Sequence, residues 1–176
     1  MATPVLVPIS EYLNTTYRPD CDFVDGELKE RNVGERPHGS LQLILGSLFW
    51  NNRRTWGLVA STEQRVQTSA AHFRIPDVCV IRPVAGEFIV RTAPVVCIEV
   101  LSKDDTLAGI RERVDDFLAM GVEHVWVFDP LGHLAWRATA TGYEEAQGEL
   151  AIAGTPVKIV LPELFGELDD MLSGRL

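Results

Sequence analysis

The segment that most limits the fold is Pro94-Val95-Val96-Cys97-Ile98-Glu99-Val100-Leu101. Side chains alternate between the two faces of a strand. Both faces are apolar here, so the segment reads as a central strand covered on each side. One residue breaks the pattern: Glu99, on the same face as Cys97 and Leu101. A lone carboxylate at such a position carries a heavy desolvation cost unless it is neutralised, paired or bound to a metal. Asp77 repeats the theme, following Arg74-Ile75-Pro76 and opening the apolar run Val78-Cys79-Val80-Ile81.

The neighbouring segments supply what such a strand needs. Ser10 before Glu11-Tyr12-Leu13 reads as the N-cap of a short helix. Cys21 to Asp25, Asp25-Gly26 and Glu27 to Arg31 read as a β-hairpin around an Asp-Gly turn. Apolar residues from His38 to about Trp50 predict a largely buried helix that ends in Asn51-Asn52-Arg53-Arg54. Strands are expected at Gly57 to Ser61, Gln64 to Thr68, Ile75 to Ile81 and Pro94 to Leu101. Leu107, Ile110, Val114, Phe117 and Leu118 repeat at helical spacing, and Gly121 stops that helix. Glu123 to Phe128 and His133 to Thr139 read as a strand and its hairpin partner, followed by short strands and a final turn of helix near Pro162 to Leu168. A hairpin-rich beginning followed by strand–helix–strand implies an α/β protein: a mixed β-sheet flanked by helices, with extra N-terminal and C-terminal hairpin strands.

The 176 residues suit one domain, 1–176, with a core of about 9–165, and no repeat or linker divides them. The longest uncharged apolar stretch, near Leu41 to Trp50, is too short to cross a bilayer. The first eight residues have no basic region and an interrupted apolar run, so no secretory leader is expected. Cys21, Cys79 and Cys97 are an odd set without metal-ligand spacing, and two lie in apolar runs where a thiol behaves as a small hydrophobe. A reducing, cytoplasmic setting suits them. The net charge of −9 argues against a non-specific nucleic-acid binder, because duplex affinity rests on neutralising phosphates. It leaves room for a locally basic cleft. Most of the 16 basic residues are arginines, concentrated between Arg31 and Arg113.

Asp77 and Glu99, on neighbouring apolar strands, can converge on one cation. Mg²⁺ prefers one or two carboxylates plus waters, which leaves room for phosphate oxygens. Such an ion polarises phosphate and activates water for in-line attack. The plainer alternative has Asp77 ending a turn and Glu99 pairing with an arginine or capping the next helix. Two such acids together favour a functional site.

Arg74-Ile75-Pro76-Asp77, then Ile98-Glu99-Val100-Leu101-Ser102, then Gly121-Val122 leading into Val125-Trp126-Val127-Phe128-Asp129-Pro130 resembles the restriction-endonuclease family called Uma-two. That family lies within the PD-(D/E)xK nuclease superfamily. Phe23-Val24-Asp25-Gly26-Glu27-Leu28 and Pro37-His38-Gly39 add to the match, which runs from about Ile9 to Phe165. The resemblance implies a restriction-endonuclease-like fold, Mg²⁺ or Mn²⁺ as cofactor, and DNA as substrate. It also implies Asp77 and Glu99 as metal ligands, the Val100 carbonyl as a third, and a homodimer or higher homo-oligomer. In the family an acid precedes the Asp-Gly turn and a lysine sits on the helix after the glutamate. Here Asp22 stands at the first place, shorter than the usual glutamate, and Arg113 at the second. At about 100° per residue Arg113 lies roughly 40° from Phe117 and 60° from Ile110, so it borders the buried helix face. A guanidinium cannot serve as a base, yet it can hold phosphate charge.

Other residues weigh less. Lys103 is expected to face solvent. For His38, a place in the cleft and a capping or surface role are both open, and Glu63 and Gln64 are minor candidates for the metal shell. His72, His124 and His133 lack zinc spacing. Trp126 and Trp136 suit a core or an oligomer surface, as does the early hairpin for the latter. Catalytic candidates are thus Asp77, Glu99, Arg113 and Asp22. The leading reading is a divalent-metal-dependent endonuclease. Its alternatives are a catalytically degenerate, oligomeric binding or scaffold protein of the same fold, and a metal-dependent hydrolase of small phosphoesters.

Overall fold

Residues 6–32 and 34–175 are described in this structure, a computed structural model. The Asp25-Gly26 turn joins β1 (Cys21–Val24) to β2 (Glu27–Glu30). Both turn residues have positive φ, 50° and 90°, as a two-residue hairpin turn that follows the strand twist requires. β1 also pairs with β5 (His72–Arg74), which pairs with β4 (Val66–Gln67), giving a small sheet in the order β2-β1-β5-β4. Tyr12 of α1 (Ile9–Asn14) packs there with Phe23 and Phe73.

The central sheet holds β3 (Val59–Thr62), β6 (Val78–Ile81), β7 (Val96–Val100), β8 (His124–Asp129), β9 (Leu134–Thr139) and β10 (Gly142–Glu145), in the order β10-β9-β8-β7-β6-β3. All five residues of β7 are buried, as their uniformly apolar faces demand. Within this sheet the β7–β8 pair is parallel and the others antiparallel, and a parallel pair needs a crossover. α3 (Leu107–Met120) supplies it: the Thr106 hydroxyl accepts from the Gly109 N–H at 3.1 Å, and Gly121 closes the helix at φ 97°. α3 covers Cys97, Val125 and Val127 on one face. α2 (Arg36–Trp56) and α4 (Leu161–Ser173) cover Val78, Val80, Val96, Ile98, Val100 and Phe128 on the other. β11 (Glu149–Ala151) and β12 (Lys158–Val160) form a separate hairpin before α4. Among the described residues, no helix is long and apolar enough to cross a membrane.

Several boundaries differ from expectation for identifiable reasons. Ser10 lies inside α1, because the Pro8 carbonyl already accepts from the Tyr12 N–H at 3.0 Å and starts the helix earlier. α2 runs past Asn51–Arg54 to Trp56, whose ring meets Phe49 edge-on at 5.3 Å and holds the last turn on the core. Gly57, at φ 65°, is the actual stop. The expected strand at Gln64 to Thr68 shrinks to two residues. The expected strand from Ile75 to Ile81 breaks at Pro76, which has no N–H for a ladder. β5, which was not expected, ends before the break in the small sheet, and β6 starts after it in the central one. The expected last turn of helix is the 13-residue α4, seated by Leu161, Leu164, Phe165 and Leu168. Trp126 is 1% exposed and part of the core, so it offers no surface to a partner.

The small sheet is tied to α3 by Arg74, which is 2% exposed. Its Nη1 donates to Asp22 of β1 at 3.1 Å, its Nε to Asp116 at 2.6 Å and its Nη2 to Glu112 at 2.8 Å. Glu112 and Asp116 stand four residues apart, on one face of α3. Removing one member of a buried pair strands the other, at a cost of about 3–5 kcal/mol. Arg74→Leu is expected to lose stability on that scale in urea unfolding. The double variant Arg74→Leu/Asp22→Asn is expected to lose markedly less than the two single losses added together. Strict additivity would mean the pair is not coupled.

Candidate active site

The break at Pro76 is what brings the acids together. Crossing from one sheet to the other, the chain sets Asp77 at the head of β6, opposite the far end of antiparallel β7. There the Val100 N–H donates to Asp77 Oδ2 at 2.7 Å. Val100 therefore meets Asp77 through its N–H and not through the carbonyl expected to help hold a metal. Glu99 precedes it, 0% exposed on the α3 face of the sheet, as the alternation predicted.

Cations surround these carboxylates. Arg113 Nε donates to Glu99 Oε2 at 2.9 Å and its Nη2 to Asp105 Oδ1 at 3.3 Å. The helix position expected to border the buried face does reach the acid. Asp77 Oδ1 accepts from Arg31 Nη2 at 2.6 Å, and its Oδ2 lies 3.4 Å from His38 Nε2. Asp22 stands behind Arg31, with 3.9 Å from its Oδ1 to Arg31 Nη1. Both Asp22 oxygens have closer partners, the Ile75 N–H at 3.0 Å and Arg74. The structure thus gathers Asp77, Glu99, Val100 and Arg113, and sets Asp22 beside them across Arg31.

Of the lesser candidates, His38 reaches the cleft. Glu63 is held at its edge by Gln42, whose Nε2 donates to Glu63 Oε1 at 2.7 Å and to the Asp77 carbonyl at 2.9 Å. Glu63 has φ 51°, uncommon for a residue with a side chain. Gln64 turns away, bonding the carbonyls of Arg65 and Phe88. Lys103 is exposed and pairs with Glu35. His72 bridges Asp25 and Asp116, and His133 stacks on Phe165, both away from the acids. All three cysteines are buried and free, and burial pushes the Cys97 thiol well up from its ordinary range, which leaves it inert. Arg31, Gln42 and Asp105 were not foreseen. The one signal for Arg31 was the density of arginines in the first two-thirds of the chain.

The two carboxylates titrate in opposite directions. Burial works against ionising Asp77, but the His38 hydrogen bond, the Arg31 charge and the Val100 N–H outweigh it and hold the carboxyl below its usual range. Glu99 is pushed up to about 7, first by burial, with the Asp77 charge adding to it and Arg113 and Arg31 opposing. His38 is raised despite burial, through its bond to Asp77. Two acids driven apart by their surroundings are the pattern of a functional pair.

The donors suit a hard divalent cation on one specific ground. Among the described residues nothing bonds Glu99 Oε1, although that atom is buried. An orphaned carboxylate oxygen calls for a proton or a cation, and oxygen donors are what Mg²⁺ and Mn²⁺ prefer. Among the described residues no three His, Cys, Asp or Glu side chains gather as a ready-made metal cage. Any ion here would complete its shell with backbone oxygen, water or substrate.

The raised Glu99 gives a signed prediction for metal-free protein. Its folded pKa lies above the unfolded carboxylate value, so the protonated group contributes stability that is fully present below about pH 4.3. That stability is lost as pH rises through about 7. Glu99→Gln, neutral throughout, is expected to gain on wild type by a few degrees of melting temperature between pH 5.5 and 8.5. A pH-independent difference would show Glu99 ionised over the whole range.

With the geometry established, the chain can be set against known proteins. The Uma2 family model, described as "Putative restriction endonuclease", matches residues 9–170. No curated protein sequence matches this one. Among solved structures, the crystal structure of a "putative nuclease belonging to DUF820" from Anabaena variabilis aligns with a TM-score of 0.77 at 20% identity, over 92% of this chain and 99% of that chain. At that identity the likeness establishes the fold alone. A cryo-electron microscopy structure of a DrdV–DNA complex aligns at a TM-score of 0.42 and 18% identity, over 79% of this chain and 12% of that chain, too loosely to carry an argument. The fold is that of a restriction-endonuclease-like α/β protein. Since the family match extends from α1 into α4, the chain belongs to the Uma2, or Uma-two, family.

Proposed function

We propose that this protein hydrolyses phosphodiester bonds in DNA, using one Mg²⁺ or Mn²⁺ held by Asp77 and Glu99. The observation that carries this is the buried, unbonded Glu99 Oε1 on a central strand beside a second buried acid. The family description supports the reaction class. When bound, such an ion supplies a Lewis acid for phosphate and an ionised water at neutral pH.

The protein's own groups then divide the remaining tasks. Arg113 fixes Glu99 through Oε2, leaving Oε1 as the free donor. Its guanidinium stays protonated, raised further by Glu99 against the opposing effect of burial, so it holds negative charge and takes no proton. His38, raised by Asp77, is the group placed to carry a proton near neutral pH. Asp22 acts as a positioning residue, orienting Arg31 and Arg74. The second reading, a binding protein that keeps the fold without turnover, draws on a single observation: both Asp77 oxygens already have partners.

Purified protein is expected to nick plasmid DNA with Mg²⁺ or Mn²⁺, and a chelator to stop it. Asp77→Asn and Glu99→Gln are each expected to lose at least about 100-fold in rate while remaining folded. Rates are expected to fall steeply with salt, because a chain of net charge −9 grips phosphate through a few local cations. Arg113→Lys is expected to raise the rate. Wild-type protein inactive on single-stranded, duplex and plasmid DNA with both metals would overturn the proposal in favour of the binding protein.

A further inference from the structure

Asp77 is gripped at both its side chain and its main chain by one face of α2. His38 and Gln42 stand four residues apart, so they share a helix face. His38 Nε2 lies 3.4 Å from Asp77 Oδ2, and Gln42 Nε2 donates to the Asp77 main-chain carbonyl at 2.9 Å. The helix itself is seated by Leu41, Leu45 and Phe49, all fully buried. Asp77 thus takes its place from the core through two side chains of α2.

Gln42 also fills a gap in the strand ladder. β3 pairs with β6 as far as Thr62 opposite Val78, one residue short of Asp77. The next residue, Glu63, has φ 51°, which turns its backbone out of the extended form that pairing needs. The ladder therefore stops before the Asp77 carbonyl, and a side-chain amide from α2 supplies the donor instead. That amide is itself fixed in orientation. Its Nε2 also donates to Glu63 Oε1 at 2.7 Å, and a flipped amide would set its oxygen against two acceptors. Gln42, Glu63, His38 and Asp77 border one cavity of the cleft, so the grip lies in the cleft wall.

We propose that Gln42 is a positioning residue for the divalent ion: by holding the main chain of Asp77 it aims the carboxylate, and Glu63 orients the Gln42 amide for that task. This rests on the assignment of Asp77 and Glu99 as ligands. Neither Gln42 nor Glu63 needs to touch the ion. Without the amide, the Asp77 carbonyl loses its donor, and the peptide turns to find another and carries the side chain with it. Groups that orient a metal ligand typically change metal affinity by about 10–100-fold. The left-handed backbone at Glu63 then has a use, because it brings a carboxylate to the amide where the ladder ends.

The test is calorimetric titration of Mn²⁺ into wild type, Gln42→Leu, Gln42→Glu, Glu63→Ala, Glu63→Gln, Leu168→Ala and Asp77→Asn, each first shown to be folded. Gln42→Leu and Gln42→Glu are each expected to bind at least about 10-fold more weakly than wild type, and Asp77→Asn to lose the site. Gln42→Glu separates aim from charge. Its added negative charge alone strengthens cation binding, whereas a carboxylate in that place cannot donate to the Asp77 carbonyl. Glu63→Ala and Glu63→Gln lose the same charge, but only the second keeps an acceptor for the Gln42 amide, so it is expected to bind more tightly than Glu63→Ala. Leu168→Ala truncates a fully buried side chain of α4 and is expected to bind as wild type does, since it costs stability without touching Asp77. Equal or tighter binding by Gln42→Glu overturns the proposal, as does a loss of the same size in Leu168→Ala. Equal binding by the two Glu63 variants removes Glu63 from it. If wild type binds Mn²⁺, Asp77→Asn does not, and both Gln42 variants match wild type, Gln42 has no positioning role and the metal site stands. Absence of binding in every protein removes both.

Discussion

Three carboxylates are held out of water here, and the placement of several elements follows from that. Asp22, Asp77 and Glu99 are 2%, 1% and 0% exposed, and each lies on a different strand or strand entrance. Arg31, Arg74 and Arg113, from three further places in the chain, neutralise them. The small sheet, the central sheet and α3 are therefore fixed to one another by charge as well as by apolar contact. Buried ion pairs seldom stabilise a fold more than well-packed apolar residues would. Their concentration at one end of β6 and β7 is better explained by chemistry than by stability.

The backbone of this arrangement was legible in the sequence wherever one physical rule dominated. A strand apolar on both faces must be central, so β7 and the position of Glu99 followed from alternation. Asp25-Gly26 determined its hairpin through the positive φ that the turn requires. α3 followed from helical spacing closed by a glycine. Rules in competition gave poorer results. The polar run Asn51–Arg54 obscured the continuation of α2, because Trp56 returns the helix to the core only after it. Pro76 reads as the start of a strand in sequence, but in space it marks the passage between two sheets, which also hid β5.

The candidate site was legible as a set of buried acids and only partly as a set of partners. Glu99 and Asp77 stand out because a charge in an apolar run is costly wherever the fold places it. Arg113 could be placed by helix geometry, because its angle to Phe117 is fixed by the helix itself. Arg31 offers no such handle. It lies in a connection between elements, 46 residues from Asp77, and no local periodicity says where its side chain goes. Asp105 and Gln42 share that difficulty: their roles arise from tertiary proximity alone.

The Arg31–Asp77 ion pair also joins different bodies of the protein. Arg31 leaves a strand of the small sheet, while Asp77 opens a strand of the central one, so their contact spans the seam between them. The tip of the hairpin is in turn clipped to α3 through His72, which touches Asp25 and Asp116. The charge environment of Asp77 is thereby linked to the spacing of two sheets that have separate aromatic and aliphatic cores. A change in that spacing would alter the charge around Asp77 before it disturbed either core.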